Sequence, residues 1–267
     1  MISVLQLGTQ DYATALKLQQ KLVDLRKANQ IGDVLLLLEH QPVITLGRNT
    51  QSANILASPE LLVQRGVEVV ECDRGGDVTF HGPGQLVGYP IFDLRGFTGP
   101  DGQRKTLGAI EFVRKMEEAL IRTCADFRIP ATRISKLTGV WTVPTAGEPA
   151  KIAAIGIHIS RAVTSHGFAL NVNTDLSFFD LIIPCGLVAK PVTSIRNEIE
   201  TATSAPIMMD RVAESISRNF GHVFSRQMLW LESLDALVGK TEMFGVPVRP
   251  PVNLRKLHSR DDETFWA

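Results

Sequence analysis

The sequence has no long apolar run, no excess of either charge and only three cysteines, and each absence excludes a class of protein. Its longest wholly apolar run, residues 34–38, is far shorter than the ~20 residues that span a bilayer. Lysine plus arginine and aspartate plus glutamate both total 28, so no net field favours nucleic acid or an anionic membrane. Residues 1–6 carry no basic stretch followed by an apolar core, so no secretory signal is predicted. We therefore expect a cytoplasmic protein that binds neither nucleic acid nor a membrane.

The composition describes a globular domain with a substantial core. The chain has 267 residues, of which 44% are apolar and 21% are charged, and its mean hydropathy is +0.07. Such a length allows one large domain or two small ones. Because no internal repeat and no Pro/Ser-rich hinge interrupts the chain, we predict a single α+β domain with clustered antiparallel strands.

The spacing of apolar residues predicts the order of helices and strands. Helices are predicted at residues 12–26, 59–66, 106–127, 209–220 and 231–238. Strands are predicted at residues 34–38, 42–47, 67–72, 86–94 and 138–143. Segments 151–159 and 168–172 alternate in polarity and are predicted to form an antiparallel hairpin. Residues 74–85 hold five Gly or Pro in twelve positions and are predicted to be a loop whose backbone can approach a ligand closely.

The three cysteines, Cys72, Cys124 and Cys185, are too scattered for a disulfide framework or a paired metal site. Cys124 falls on the apolar stripe of the predicted helix 106–127 and is interpreted as a core residue. Cys72 lies at the end of a predicted strand and is also interpreted as a small buried apolar residue. Cys185 follows an apolar stretch and precedes Gly186, so it is a loop thiol with space beside its sulfur. Since a free cysteine is more often a buried apolar residue than a nucleophile, this context leaves both roles open for Cys185.

Lys151 begins a strand that otherwise consists of small and apolar residues. Most lysines at strand ends reach into water. If the ammonium instead lies within a few ångströms of Cys185, it stabilises the thiolate and exchanges protons with it. Lowering the pKa of a thiol by two units takes ~2.7 kcal/mol, which one partly desolvated cation can supply. The two residues would then be an activated nucleophile and its general base.

The glycine-rich segment 74–85 lacks the GxxxxGK[ST] and GxGxxG patterns, so it is not a nucleotide phosphate loop. It is either a tight connection or a wall of backbone N–H groups which, with Arg74, Thr79 and His81, holds a carbonyl oxygen beside an acyl slot. His166 and Cys185 are a chemically reasonable dyad, but spacing does not show that they meet. No pair of histidines has a metal-ligand spacing supported by further Cys, Asp or Glu in a suitable element, so we predict no metal site.

Four segments, in this order and at these separations, resemble the lipoyl(octanoyl) transferase family. They are residues 40–48 (HQPVITLGR), the loop 74–86 (RGGDVTFHGPGQL), the strand 151–160 (KIAAIGIHIS), and residues 166–173 (HGFALNVN) leading to Pro184, Cys185 and Gly186. The resemblance covers residues 1–225, which would form the catalytic domain. Residues 226–267 would be a C-terminal extension of unknown role.

The resemblance implies the α+β catalytic-domain fold of biotin and lipoate protein ligases, with an antiparallel or mixed sheet packed with helices. The implied reaction moves an octanoyl group from octanoyl-acyl carrier protein to a lysine of a lipoyl domain in 2-oxo acid dehydrogenases or of the glycine-cleavage H protein. By resemblance, Cys185 is the acyl-thioester nucleophile, and Lys151 lowers its pKa. The implied substrate-binding residues are Arg74, Gly75, Gly76, Asp77, Val78, Thr79, Phe80, His81, Ala154, Ile155, Gly156, Gly167, Phe168 and Ala169.

This chemistry needs no cofactor. An acyl thioester passes to a cysteine at nearly equal free energy, and attack by a lysine amine then gives a more stable amide, so no ATP is required. Two residues depart from the family pattern: Phe80 stands where Tyr is frequent, and His158 stands where Arg is common.

Three other functions remain as alternatives. An ATP-dependent lipoate or biotin protein ligase on the same fold would not need Cys185. A cysteine hydrolase that uses His166 would release free octanoate. A non-enzymatic module that binds an acyl carrier or a lipoyl domain would carry an inert thiol at Cys185.

Overall fold

The computed structural model describes residues 1–98, 103–144, 147–183, 190–199 and 205–237. In chain order its strands are β1 (Ile2–Gln10), β2 (Asp33–His40), β3 (Val43–Leu46), β4 (Glu68–Glu71), β5 (Val78–His81), β6 (Gln85–Ile91), β7 (Phe97–Thr98), β8 (Arg104–Lys105), β9 (Ala131–Ile134), β10 (Leu137–Thr142), β11 (Lys151–Ser160), β12 (Val163–Asn171) and β13 (Met228–Trp230). The α-helices are α1 (Tyr12–Lys27), α2 (Pro59–Gln64), α3 (Ala109–Asp126), α4 (Ile195–Glu198) and α5 (Met209–Phe224). Short 3₁₀ turns occur at Ser52–Asn54, Leu94–Gly96, Leu176–Leu181 and Asp235–Leu237.

The main sheet contains eight of the described strands in the order β13-β1-β2-β6-β12-β11-β10-β9. β1 pairs in parallel with β2 and with β13, and the other neighbours in this sheet pair antiparallel. A second sheet of three strands has the order β4-β3-β5. The prediction of an α+β fold with a mixed sheet packed with helices is therefore confirmed.

Strand β2 explains why the longest apolar run of the sequence is a strand. Successive side chains of a strand face opposite sides of the sheet. Leu35 and Leu37 therefore join the core formed with α3 and α5, while Val34, Leu36 and Leu38 pack in the core formed with α1. All five are at most 1% exposed. Because both faces are covered, every position of the run is apolar.

Helices cover the two faces of the main sheet as the apolar spacing predicts. Asp11 caps α1 by accepting a hydrogen bond from the Thr14 N–H. On the opposite face α3 packs against α5, and Phe112 lies tilted against Phe224. Cys124 of α3 is fully buried, and burial raises the pKa of its thiol to about 12. The interpretation of Cys124 as a core residue is therefore confirmed.

The predicted hairpin is formed by β11 and β12. Their antiparallel register runs from Ala153 opposite Leu170 to Ser160 opposite Val163. The two turn residues, 161 and 162, have φ values of 50° and 64°. Left-handed backbone at both central positions matches the twist of the two strands, so a two-residue turn closes the hairpin.

The predicted loop 74–85 contains a strand, and the prediction is corrected here. β5 pairs antiparallel with β3, with Val43 opposite His81 and Leu46 opposite Val78. Val78, Thr79 and Phe80 favour extended backbone, but the glycines on either side of the strand conceal that preference in the sequence. The short helix α2 of the same layer begins where it was predicted, with Ser58 accepting from the Leu61 N–H.

Strands β1, β9 and β13 and the two-residue strands β7 and β8 are absent from the sequence prediction. β13 pairs with β1, with Ile2 opposite Met228, so a described part of the segment 226–267 adds a strand to the main sheet. The domain boundary at residue 225 stays a prediction. In place of the helix predicted at 231–238 the structure has the 3₁₀ turn Asp235–Leu237, and residues 238–267 lie outside the described ranges. Among the helices of those ranges, none combines the length and the apolar composition that a membrane span requires.

Candidate active site

A cavity lies between the loop 74–76 and the hairpin of β11 and β12. Strands β5 and β6 and the start of α1 complete its wall. Eleven of the substrate-binding residues expected from the sequence line this cavity, namely Arg74, Gly75, Gly76, Thr79, His81, Ala154, Ile155, Gly156, Gly167, Phe168 and Ala169. Tyr12, Val87, Tyr89 and His166 also line it. Many of these positions carry glycine or alanine, which leaves room for a ligand.

The alternation of β5 decides which of its residues face the cavity. Thr79 and His81 line it, whereas Val78 and Phe80 pack on the other side in the small core beneath α2. The Phe80 ring stacks on Phe178 with their centroids 4.7 Å apart. Asp77, just before the strand, accepts a hydrogen bond from its neighbour's backbone N–H and borders an outer cavity. Phe80, which stands where the family frequently has Tyr, therefore packs in this small core and does not face the cavity.

Two close backbone contacts hold the loop and the strands together at positions that require glycine. The Gly75 N–H donates to the Ile157 carbonyl over 2.9 Å, which fastens the loop to β11. A Cβ atom on Gly156 would lie 2.6 Å from the Gly75 oxygen, and one on Gly167 would lie 2.1 Å from the Gly88 oxygen. Because the Gly75 N–H is used in this way, the predicted wall of free N–H groups is interrupted at that residue.

Arg74 places a buried positive charge in the cavity wall. Its side chain is held by Thr45, which accepts from Nε and Nη2 through its hydroxyl and from Nη2 through its carbonyl. Nη1 donates to the Gly75 carbonyl at 3.2 Å. Arg74 is only 7% exposed, and in the described ranges no carboxylate forms an ion pair with it. A charged donor in such a place stabilises a carbonyl oxygen or an anion strongly.

Beside Arg74, two neutral histidines and both tyrosines of the chain form a polar cluster. His40 donates from Nδ1 to the Gln10 carbonyl and accepts at Nε2 from the Tyr89 hydroxyl at 2.6 Å. His81 donates from Nδ1 to the Gln85 side chain, and its ring stacks on Tyr12. Burial lowers the pKa of His40 to about 4 and that of His81 to about 3. Both rings are therefore neutral near pH 7 and act as fixed hydrogen-bonding groups.

His166 lines the cavity from β12 and is tied to a carboxylate. Its Nε2 donates to Asp73 Oδ1 at 2.7 Å, and burial lowers its pKa although Asp73 opposes that effect. His158 Nδ1 lies 3.5 Å from the other Asp73 oxygen and accepts from Arg48 at 2.8 Å. His158 and Arg48 thus form one polar network with Asp73.

Lys151 does not reach into water, because it is only 8% exposed. A β-bulge explains its position: Val140 pairs with Ala153, but Trp141 pairs with Lys151, so β11 has one residue more than β10 over this step. In a regular strand Lys151 and Ala154 would face opposite sides, yet both line one small cavity. A bulge re-aims side chains in this way.

The bulge brings Lys151 beside the main cavity. Thr79, Ala154 and Ala169 line both the main cavity and the small one that Lys151 borders. The main chain of Lys151 is also fixed: its N–H donates to the Pro191 carbonyl at 2.8 Å, and its carbonyl accepts from Thr193 at 3.0 Å. The side chain of Lys151 is therefore buried beside the main cavity and does not extend from the protein surface.

Cys185 and Gly186 belong to residues 184–189, which lie outside the described residues. The described chain on either side is fixed by backbone hydrogen bonds. Ile183 donates its N–H to the Asn54 carbonyl at 2.8 Å, and Pro191 accepts from the main chain of Lys151. The proximity of Cys185 to Lys151, and the alternative dyad with His166, stay predictions.

Tyr12, Tyr89 and the bulge in β11 were not predicted from the sequence. Tyr12 and Tyr89 are the only two tyrosines in the chain, and their rarity is the one signal that could have indicated them. The bulge in β11 has no counterpart in the apolar pattern of the strand. In the described ranges no three His, Cys, Asp or Glu side chains are grouped as metal ligands.

Fold and site together define an α+β domain with a partly apolar cavity and a buried lysine beside it. The model of the lipoyl protein ligase A/B catalytic domain matches residues 11–221. An octanoyltransferase from Koribacter versatilis is 59% identical over 98% of both chains. One from Acidobacterium capsulatum is 57% identical over 87% of this chain and 94% of its own. The chain belongs to the lipoyl protein ligase A/B catalytic domain family and, within it, to the octanoyltransferases, so it is an acyltransferase acting in octanoyl or lipoyl transfer.

Solved structures of low sequence identity share the fold. A bipartite lipoate protein ligase with its E2 lipoyl domain from Thermoplasma acidophilum has a TM-score of 0.60 at 17% identity, covering 89% of each chain. A lipoate-protein ligase A bound with ATP has a TM-score of 0.63 at 16% identity, covering 86% of this chain and 87% of its own. The predicted ligase-like fold is confirmed by these similarities.

Proposed function

We propose that the enzyme moves an octanoyl group from octanoyl-acyl carrier protein to a lysine of a lipoyl domain through a thioester on Cys185. The observation that carries this proposal is the position of Lys151. A bulge places its buried side chain beside the cavity that the octanoyl group would fill, and the chain that follows Cys185 is fastened to its backbone.

In the first half-reaction, Lys151 takes the proton of the Cys185 thiol, and the sulfur attacks the carbonyl carbon of the donor thioester. The bond between that carbon and the carrier sulfur breaks. The departing carrier thiolate takes the proton from the Lys151 ammonium. One thioester replaces another, so the step needs no other source of free energy.

In the second half-reaction, the neutral amine of the acceptor lysine attacks the acyl carbon and displaces the Cys185 thiolate. A C–N bond forms, the C–S bond breaks, and the proton lost by the amine returns to the sulfur by way of Lys151. The amide product is more stable than the thioester, so this step drives the overall transfer. Two half-reactions at one sulfur predict ping-pong kinetics.

The cavity suits a short acyl chain with a reactive carbonyl at one end. Val87, Ile155 and Phe168 supply apolar surface. Arg74 and Thr79 supply polar groups in the same wall. Preorganised donors of this kind stabilise the oxygen of a tetrahedral intermediate.

The proposed acceptors are the lipoyl domains of 2-oxo acid dehydrogenases and the glycine-cleavage H protein. The structural relative from Thermoplasma acidophilum was solved in a lipoylation system that includes an E2 lipoyl domain, which supports an acceptor of this kind. The site must serve two proteins in turn, the acyl carrier and the acceptor, so both are expected to reach the same opening.

Transfer in the absence of ATP tests the proposal. Purified enzyme is mixed with octanoyl-acyl carrier protein and an apo lipoyl domain, and the acceptor mass is followed. We expect an octanoyl group on the acceptor with wild type and with the control Cys72→Ser, which removes the partly exposed one of the two described cysteines, and none with Cys185→Ala. Lys151→Met should slow the transfer at least about a hundredfold, because it removes the general base.

Two other results would contradict this function. Modification that requires ATP and free octanoate or lipoate, and that survives Cys185→Ala, would indicate a ligase. Release of free octanoate faster than transfer to the lipoyl domain would indicate a hydrolase.

A further inference from the structure

We propose that Trp141 is a positioning residue whose indole ring holds the Lys151 ammonium and favours the thiolate form of Cys185. This inference rests on the function proposed above, because it concerns the same lysine and cysteine. Lys151 Nζ lies 5.0 Å from the centroid of the Trp141 ring, inside the ~6 Å at which the ring face attracts a cation.

The strand register supports this contact independently of side-chain conformation. Trp141 and Lys151 are directly opposite each other in β10 and β11, and such pairs place their side chains on the same face. Without the bulge, Ile152 would stand opposite Trp141. The extra residue thus re-aims Lys151 toward the cavity and brings it over the indole at the same time.

Packing alone does not account for a tryptophan at position 141. The residue is 0% exposed, yet within the described part of the chain its Nε1 meets no acceptor. Burying an N–H group without a hydrogen-bond partner lowers the stability of the folded state. A leucine or phenylalanine at this position would not carry that cost. Among the aromatic side chains, tryptophan binds a cation most strongly, and Lys151 is the cation on its face.

The backbone around the pair is built for close approach. Gly139, two residues before Trp141, has a φ of +119°, and a Cβ there would lie 2.6 Å from the Ala153 oxygen and 3.5 Å from Lys151 Cε. The Gly139 N–H also donates to Glu117 on α3. Glycine at this position lets β10 pass close to the bulge and leaves room for the stem of Lys151, whose Nζ lies over the indole.

Other charged groups border the same place, and the test must take them into account. Asp77 and Lys136 line the outer cavity that Lys151 also borders. Glu198 of α4 accepts from the Thr193 hydroxyl, and the Thr193 N–H donates to the Lys151 carbonyl. These groups are unchanged in the variants below, so a difference between variants reports on the indole.

The effect on the reaction follows from the proton balance of the pair. When the proton leaves the sulfur of Cys185 for Nζ of Lys151, an S–H bond breaks and an N–H bond forms. The ammonium interacts with the ring face more strongly than the neutral amine does. Trp141 therefore shifts this proton transfer toward the nucleophilic thiolate.

The pH dependence of Cys185 alkylation by iodoacetamide tests the proposal, with the labelled peptide measured by mass spectrometry. We expect Trp141→Leu to move the midpoint of the profile upward by about one unit, which is a tenfold lower thiolate fraction on the acid side of the profile. Trp141→Phe keeps a ring and should move it less than half as far. Combined with Lys151→Ala, Trp141→Leu should cause no further shift, because the cation is absent.

Phe112→Leu is the matched control. Phe112 is fully buried in the core between α3 and α5, so its truncation weakens folding without touching Lys151, and the midpoint should stay at the wild-type value. A Trp141→Leu midpoint equal to that of wild type, with Lys151→Ala shifted, would overturn the role of Trp141 alone. If neither variant shifts the midpoint, the pairing of Lys151 with Cys185 fails as well.

Discussion

Gly156→Ala tests whether the loop 74–76 must lie against β11 for the cavity to form. The added Cβ would lie 2.6 Å from the Gly75 oxygen and 3.4 Å from Arg74 Cδ. Backbone atoms cannot turn aside as a flexible side chain can, so the loop must move away from the strand. Such a movement breaks the bond between the Gly75 N–H and the Ile157 carbonyl, which is 2.9 Å long.

The magnitude follows from these two losses. Overpacking costs about 1–3 kcal/mol, and a broken hydrogen bond adds about 0.5–1.5 kcal/mol. Replacing glycine also restricts the unfolded chain, which offsets about 0.4–1 kcal/mol. We therefore expect the free energy of unfolding of Gly156→Ala to fall by about 0.5–4 kcal/mol. Because Arg74 moves with the loop, kcat/KM for octanoyl transfer should fall at least tenfold.

Urea unfolding at equilibrium and steady-state transfer rates measure the two effects. Gly32→Ala is the control, because a Cβ on Gly32 meets no atom within 4 Å and its stability should stay within about 0.5–1 kcal/mol of wild type. A Gly156→Ala variant with wild-type stability and wild-type kcat/KM would refute the account of the loop contact.

Three further predictions concern the walls of the cavity. Thr45→Val removes the hydroxyl that accepts from buried Arg74 and should lower the free energy of unfolding by about 1.5–3 kcal/mol. Thr45→Ser keeps the hydroxyl, so its free energy of unfolding should stay within about 1 kcal/mol of wild type. Equal stability of the two variants in urea would contradict this prediction. The folded pKa values of His81, about 3, and His40, about 4, lie below the ordinary ~6.5. The unfolded chain therefore binds these protons first, and stability should fall as pH drops from about 6.5 toward 4, with a slope approaching two protons; urea titrations between pH 7 and 5 that show no loss would contradict it. Ala169→Leu narrows the cavity that Ala169 lines, so in competition between acyl carriers it should favour chains shorter than octanoyl, and unchanged selectivity would argue against this cavity as the acyl site.

The elements predicted well from the sequence are those whose pattern has a single cause. Helix α1 and helix α3 bury one stripe each, so their apolar residues recur at helical intervals. Strand β2 is covered on both faces and is apolar throughout. In each case burial alone decides which residue types the positions accept.

Strand β5 and the bulge at Ile152 were missed for a different reason. β5 is only four residues long, and it lies between glycines at which other atoms approach the backbone closely. The bulge adds a residue without changing the composition of β11, and it becomes visible only when the register with β10 is known. Local propensity and spacing carry no information about such pairing between strands.

In the candidate site, too, the contiguous segments were predicted from the sequence and the residues brought together by folding were not. Resemblance to the family indicated the loop 74–81 and the two segments of the hairpin, because each is a contiguous run of sequence. Tyr12 and Tyr89 come from α1 and β6, far apart in the chain, and only the folded sheet brings them to one cavity. Val78 and Phe80 lie in the indicated run but face the small core, because adjacent residues of a strand point to opposite sides.

The central claim is that Cys185 carries the acyl group between donor and acceptor. Its most direct test is the mass of the enzyme after brief exposure to octanoyl-acyl carrier protein without acceptor, followed by peptide mapping of the modified residue. The account predicts one octanoyl group on Cys185, removed by hydroxylamine and passed to a lipoyl domain when one is added. An enzyme that transfers octanoate to the acceptor while Cys185 never becomes acylated would contradict it.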